Sequence, residues 1–233
     1  MILLLAAMVA TAQRVEYKCT PEDVDLFGLT CSEDAPCPVL LELASFEQVG
    51  GRMFLTGNFH TGTSTLYGLL LVSEDGGKTW AEPAGRFKQS ALEQIQFSGF
   101  GNGWVAGVRL EPLPRDPFFL ITTDGGKTWR NRPMFEDTHA GSIGQFWFES
   151  NNAGELYLDS NRRYEVYQSM TGGESWELKE VTKQQPKLAK AKTASDKWRL
   201  RADAPSKSYK LEQRTTQRWE TIATFPLLAG ECK

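Results

Sequence analysis

The sequence predicts an all-β chain folded as a β-propeller of about four four-stranded blades. Three observations predict it. An eight-residue turn motif ending in Trp recurs at intervals near 49 residues. Apolar stretches that close on Phe46, Phe97 and Phe148 recur every 51 residues. The 233-residue chain also holds 21 Gly, 13 Phe and 7 Trp, the mixture that many short strands closed by glycine turns require.

The chain opens with an apolar run from Met1 that ends Ala10-Thr11-Ala12-Gln13. Its length suits the core of a secretory leader and its end suits a small-x-small cleavage site, so residues 1–12 read as a cleavable signal peptide. A bilayer span needs about 20 apolar residues, and no stretch of the chain supplies one. The expected location is secreted or periplasmic. Residues 13–37 follow as an acidic, cysteine-containing segment, and residues 38–233 as the propeller.

The cysteines are Cys19, Cys31, Cys37 and Cys232. An even number in an exported chain reads as two disulfides. None forms a CxxC pair, which argues against zinc. If all four pair, Cys232 must join the N-terminal region and tie the two chain ends together. Three connectivities are open, and Cys19 with Cys232 and Cys31 with Cys37 is the preferred one.

The turn motif reads Ser73-Glu74-Asp75-Gly76-Gly77-Lys78-Thr79-Trp80, then Thr122-Thr123-Asp124-Gly125-Gly126-Lys127-Thr128-Trp129. It returns decayed as Ser169-Met170-Thr171-Gly172-Gly173-Glu174-Ser175-Trp176, and only Trp219 survives of a fourth. Asp75 and Asp124 are expected to accept from backbone N–H groups two and three residues on. The Gly pair supplies positive φ, a Thr or Ser hydroxyl closes the turn, and the Trp packs on neighbouring sheet. Before each motif lie three strands' worth of sequence, so each unit of 45 to 50 residues has the scale of a blade. The units centre on 38–86, 87–135, 136–182 and 188–228. A fifth blade built from the N-terminal segment is the alternative within the same fold.

Composition narrows the function. A net charge of −3 gives no global basic field, so nucleic acid is not an expected partner. There are two histidines, His60 and His139, so a tri-histidine metal site is excluded and a catalytic triad has two candidate bases. No phosphate loop, dinucleotide fingerprint or nucleophile elbow is present, and no cofactor is implied. Charge is uneven: residues 13–50 are acidic and residues 179–210 basic. Lys183, Lys187, Lys190 and Lys192 form a basic stretch poor in large apolar residues, readable as a solvated connection or as a docking face for an acidic partner.

The repeated motif resembles the Asp-box, or BNR, repeat. Gly103-Trp104-Val105-Ala106-Gly107 adds a resemblance to the photosystem II stability/assembly factor-like propellers. The resemblance implies an exported, non-catalytic β-propeller that binds a protein or peptide partner, with Ser73, Asp75, Gly77, Trp80, Thr122, Asp124, Gly126, Trp129, Ser169, Gly173, Trp176 and Trp219 serving the fold. The alternative is a secreted glycan-binding or sialidase-like glycan-cleaving propeller, since Asp-box propellers include glycosidases. A sialidase would need three arginines on one carboxylate and a Tyr–Glu nucleophile pair. Its Arg-Ile-Pro signature is absent.

Overall fold

The structure, a computed structural model, describes residues 11–111, 113, 115–160, 162–188 and 197–233. Residues 1–10, which make up most of the expected leader, lie outside the described residues, as do Lys190 and Lys192.

The chain enters as a short strand β1 (Thr11–Ala12) and a single helix α1 (Pro21–Leu26). Blade 1 is β2 (Cys37–Val49), β3 (Arg52–His60), β4 (Thr65–Ser73) and β5 (Arg86–Lys88). Blade 2 is β6 (Ser90–Ser98), β7 (Asn102–Arg109), β8 (Asp116–Thr122) and β9 (Arg130–Pro133). Blade 3 is β10 (Ser142–Phe148), β11 (Gly154–Asp159), β12 (Tyr164–Ser169) and β13 (Glu177–Thr182). Blade 4 is β14 (Trp198–Asp203), β15 (Ser208–Arg214) and β16 (Trp219–Pro226), after which β17 (Leu228–Cys232) ends the chain. Within each blade the strands pair antiparallel in chain order. The four-blade, all-β architecture read from the repeats is the architecture present.

The ends differ from expectation. Unit four contributes three strands, the last of them β16, and lacks an inner first strand; β1 adds outside β16, paired parallel to it through Thr11↔Ala223 and Ala12↔Thr224. Strand β17 then adds to the inner edge of blade 1, with Cys232 opposite Cys37. Cys19 bonds to Cys232 across 213 residues of sequence, and Cys31 bonds to Cys37. The segment between β1 and β2 forms no fifth blade. It packs on blade 1 through Tyr17 against Phe59 and Phe27 against Tyr67. Thr20 starts α1 with a reciprocal capping box to Asp23, and the Asp23 carboxylate also accepts from the Tyr67 hydroxyl at 2.8 Å. No ion pair among the described residues joins the acidic segment to the basic stretch. The bases of residues 179–210 that form ion pairs take acids on their own blades, as in Lys179–Glu155 and Arg199–Glu212.

Three apolar clusters hold the blades together. One joins blade 4 to blade 1 through Phe225, Leu211 and Leu55. A second joins blades 1 and 2 through Phe54, Leu92 and Phe118. A third joins blades 2 and 3 through Phe119, Trp104 and Phe146. Each fully buried Phe or Leu contributes about 1.5–3 kcal/mol of transfer free energy. No such cluster among the described residues joins blade 3 to blade 4, so the packed order is 4-1-2-3.

Candidate functional site

The Asp boxes sit at one end of the blades, in the hairpin between the third and fourth strands of each unit. In the first box Asp75 Oδ1 accepts from the N–H groups of Lys78 (3.0 Å) and Thr79 (2.9 Å), and Oδ2 accepts from the Thr79 hydroxyl (2.7 Å). The Ser73 hydroxyl accepts from Gly77 N–H at 2.8 Å and donates to Asp75. Asp124 repeats the arrangement with Lys127, Thr128 and Thr122. The N–H donors therefore lie three and four residues on, not two and three, because the turn runs through two glycines at φ of 74–88°. Hydrogen bonds from Thr79 hold the Asp75 carboxyl down to about 2, and those from Thr128 hold Asp124 lower still. In the third box Thr171 Oγ1 accepts from Ser175 N–H alone at 2.9 Å.

Each box docks on the blade before it. A Cβ on Gly77 would meet Ile222 of blade 4, one on Gly126 would meet Phe54 of blade 1, and one on Gly173 would meet Phe148 and then Trp104 of blade 2. Trp80 packs on Phe225, Trp129 on Phe54 and Trp176 on Phe119, following the same rule. Blade 4 has no such neighbour among the described residues. There Trp219 lies under the Arg199 guanidinium instead, and the glycines are gone. These geometries make the box residues wedges between blades.

The opposite end of the blades carries the cavities. One of about 430 Å³ is lined by Glu93, Gln94, Thr65, Arg115, Ser142 and Gly144. It opens over the inner strands, and each inner strand is irregular there. The register of β2, β6 and β10 against their partners shifts between Leu43 and Ser45, Leu92 and Gln94, and Ile143 and Gln145. The extra residues are Ala44, Glu93 and Gly144. A bulge turns its extra side chain out of the pleat, and in blade 2 that side chain is a carboxylate. Blade 1 pins the bulge on both sides: Asn58 Oδ1 accepts from Leu92 N–H at 2.8 Å and Ser45 Oγ from Ile95 N–H at 3.3 Å. In blade 3 the bulge residue is Gly144, where a Cβ would run into the Tyr157 ring, and it lines the same cavity as Glu93.

Glu93 lines this channel and its side chain is solvent-exposed there. Partial desolvation raises its proton affinity first, the charge of Glu42 on the neighbouring inner strand raises it further, and Arg115 opposes both. Glu93 and Arg115 line the cavity while Glu42 acts on Glu93 from the adjacent strand, and a raised carboxyl under such charges is one that proton-transfer chemistry uses. Glu47 on β2 is also pushed up, to about 7 by burial, but it lines none of these cavities and takes its hydrogen bond from Gln48 N–H.

Neither histidine sits in the channel. His60 Nδ1 lies 3.0 Å from the Thr61 carbonyl. His139 Nε2 meets the buried Glu165 at 2.8 Å, where the Tyr167 hydroxyl and Arg163 also converge. Burial works against the Glu165 charge, but His139, Tyr167 and Arg163 hold its carboxyl below the usual range. This is a Tyr–Glu pair of the kind a sialidase needs, yet burial and Glu165 push the Tyr167 hydroxyl upward, the wrong direction for a nucleophile. Lys183 and Lys187 are exposed on the connection after blade 3. No group of three or more potential ligands among the described residues could hold a metal ion. None is a helix long and apolar enough to cross a membrane.

Glu93, Glu42 and Arg115 were not singled out by the sequence reading. A signal for the first existed. In Ala91-Leu92-Glu93-Gln94-Ile95 two polar residues separate inward-facing Leu92 and Ile95 where strict alternation allows one.

The BNR/Asp-box repeat model matches residues 120–131, the second box. An oligoxyloglucan-reducing end-specific xyloglucanase from Emericella nidulans is 32% identical over 114 residues, covering 46% of this chain and 14% of the relative. Among solved structures, YCF48 bound to a D1 peptide is similar with a TM-score of 0.42 and 20% identity, over 79% of this chain and 53% of that one. The Niastella koreensis GH74 enzyme is similar with a TM-score of 0.42 and 17% identity, over 57% of this chain and 20% of that one. The chain thus spans about one seventh of the curated relative and between a fifth and a half of these solved chains. The expectation of a non-catalytic chain is corrected by the xyloglucanase, a carbohydrate-active enzyme sharing nearly a third of its residues over the aligned stretch.

Proposed function

We propose that the protein is a glycan-cleaving Asp-box propeller acting in an oxidising, extracytoplasmic compartment, with its reaction centred on Glu93. One observation carries the reading: a bulge held by Asn58 and Ser45 aims a carboxyl of raised proton affinity into an open channel. The sequence similarity to a xyloglucanase supports the choice of substrate class. The two disulfides support the compartment.

Glycoside hydrolysis uses two carboxyl groups in different protonation states. Glu93 suits the proton donor, since partial desolvation and the Glu42 charge both raise its proton affinity. Glu42 suits the partner that works as a carboxylate, either on the attacking water or on the developing positive charge of the sugar ring. Arg115 limits how far Glu93 is raised and supplies donors for sugar hydroxyls.

The test is reducing-end release from xyloglucan oligosaccharides by the wild-type chain, Glu93→Gln and Glu42→Gln. Glu93→Gln should fall by about 10²–10⁴-fold, the usual contribution of a general acid, with an unchanged melting temperature at pH 5. Full activity in Glu93→Gln would remove Glu93 from the mechanism. An inactive wild-type chain against a panel of neutral polysaccharides would remove the reading.

A further inference from the structure

Three cavities run together at this end of the molecule. The channel over Glu93 joins a cavity of about 560 Å³ toward blade 1 and one of about 950 Å³ toward blade 3. Arg115 lines all three. Thr65 and Leu110 are shared by the first two, Ser142 by the channel and the blade 3 cavity, and Leu113 by the outer pair. The result is one groove across blades 1, 2 and 3, each part of it large enough for a drug-sized ligand.

The blade 1 end of that groove is not made by blade 1 alone. Asp25, Leu26, Phe27 and Gly28 line it, opposite Thr63, Ser64 and Glu111. These four residues follow from the capped helix α1, and the segment is fixed at both ends. Cys19 bonds to Cys232 and Cys31 to Cys37, while Asp23 and Phe27 bind it to Tyr67 between them. The first disulfide ties the chain ends together. The second spans only 6 residues of sequence, so it restrains the unfolded chain far less than a separation of 213 does. Its main effect is local: it sets the course of the chain directly after the groove-lining residues.

Acidic residues outnumber basic ones along the groove. Asp25, Glu111, Glu93 and Asp159 line it against Arg115. Carboxylates accept hydrogen bonds from sugar hydroxyls, whereas a uronate or sulfate would meet an excess of like charge at the blade 1 end, where Asp25 and Glu111 stand against Arg115 alone.

We propose that the disulfide-fixed segment Cys19–Cys37 is an outer subsite of the groove, through which the protein binds an extended, uncharged saccharide of several units. This rests on the glycan reading above. It assigns the N-terminal segment a part in ligand selection as well as in joining the ends.

The experiment measures dissociation constants by calorimetry for xyloglucan oligosaccharides of one, two and three repeat blocks, and for polygalacturonate. All proteins carry Glu93→Gln to prevent turnover. The comparison is with Asp25→Ala/Glu111→Ala and with Cys31→Ser/Cys37→Ser added. The shortest ligand should bind all proteins alike, the longest should bind both variants at least about 10-fold more weakly, and polygalacturonate should not bind. If the cysteine variant fails to fold, the exposed Asp25/Glu111 pair still decides the matter. Affinity that does not grow with chain length, or is untouched in the variants, would overturn the subsite and leave Glu93-dependent cleavage standing. Tight binding of polygalacturonate would overturn the charge selection. Absence of any saccharide binding, together with absence of cleavage, would overturn both.

Discussion

The two ends of the blades use carboxylates in opposite ways. At the box end Asp75 and Asp124 are solvent-exposed, yet each accepts two backbone N–H groups and two hydroxyls, which hold both carboxyls below an ordinary aspartate. At the groove end Glu93 is exposed as well but accepts no such bonds, and partial desolvation and the charge of Glu42 raise it. A carboxylate saturated by its own turn has no free valence for a ligand. One that is partly desolvated and makes no such bonds has them still to offer. The box end therefore builds the molecule, and the groove end is where the proposed reaction is placed.

The largest expected effects come from breaking the box end. Gly126→Ala places a Cβ 2.6 Å from the Phe54 ring at a φ of +82°, and should cost about 3 kcal/mol or more. Gly62→Ala at the groove-end turn, with nothing within 4 Å of its added Cβ, should cost far less. Urea melts of the two variants compare the ends directly, and equal losses would erase the distinction. Trp129→Ala should cost about 3 kcal/mol because its ring packs on Phe54 and Phe97. Trp219→Ala should cost about 1 kcal/mol, because Arg199 is its ring partner and no preceding blade receives it. A Trp219 effect as large as that of Trp129 would show that blade 4 is wedged like the others.

The same contrast explains what could be read in advance. A box closes within seven residues, so Ser73, Asp75, Gly77 and Trp80 announce it in one short string, and its recurrence announces the blades. Glu93 depends on distant partners. Asn58 and Ser45 hold its bulge from another blade, Glu42 lies 51 residues away, and Arg115 arrives on a loop. The only local trace is the widened spacing from Leu92 to Ile95. The outer strand of blade 4 was equally hidden, since two residues, Thr11 and Ala12, pair with a strand at the other end of the chain. The cysteine pairing remained one choice of three until the fold brought Cys19 and Cys232 to a Cα separation of 5.1 Å.

Opposite pKa shifts give opposite pH dependences. The folded-state pKa of Asp75 is lowered, so its contribution to stability is full above the unfolded value near 4 and is lost as pH falls toward 2. Glu93 and Glu47 are raised, so their contribution is full below about 4.5 and is lost as pH rises, for Glu47 through about 7. Thermal melts should therefore show Asp75→Asn flattening only the acid side of the stability profile, and Glu47→Gln with Glu93→Gln flattening only the neutral side. A flattened acid side in the glutamate variants would contradict the assignment.

The smallest effect sharpens the comparison by repair. Thr171 stands where the first two boxes have Asp, and its hydroxyl takes one N–H where a carboxylate takes two. Thr171→Asp should stabilise the chain by about 0.5–1 kcal/mol in urea melts, while Arg214→Asp, at the matching position of a fourth box without glycines, should not.

The most direct test of the division between the two ends is a carboxyl titration by ¹³C NMR, with Glu93 assigned by its absence in Glu93→Gln, without and with a saturating xyloglucan oligosaccharide. Glu93 should titrate above the ordinary glutamate range and shift when the oligosaccharide is added, while Asp75 and Asp124 stay ionised to the acid limit and do not respond. A Glu93 that titrates like an exposed glutamate and ignores the ligand would contradict the account.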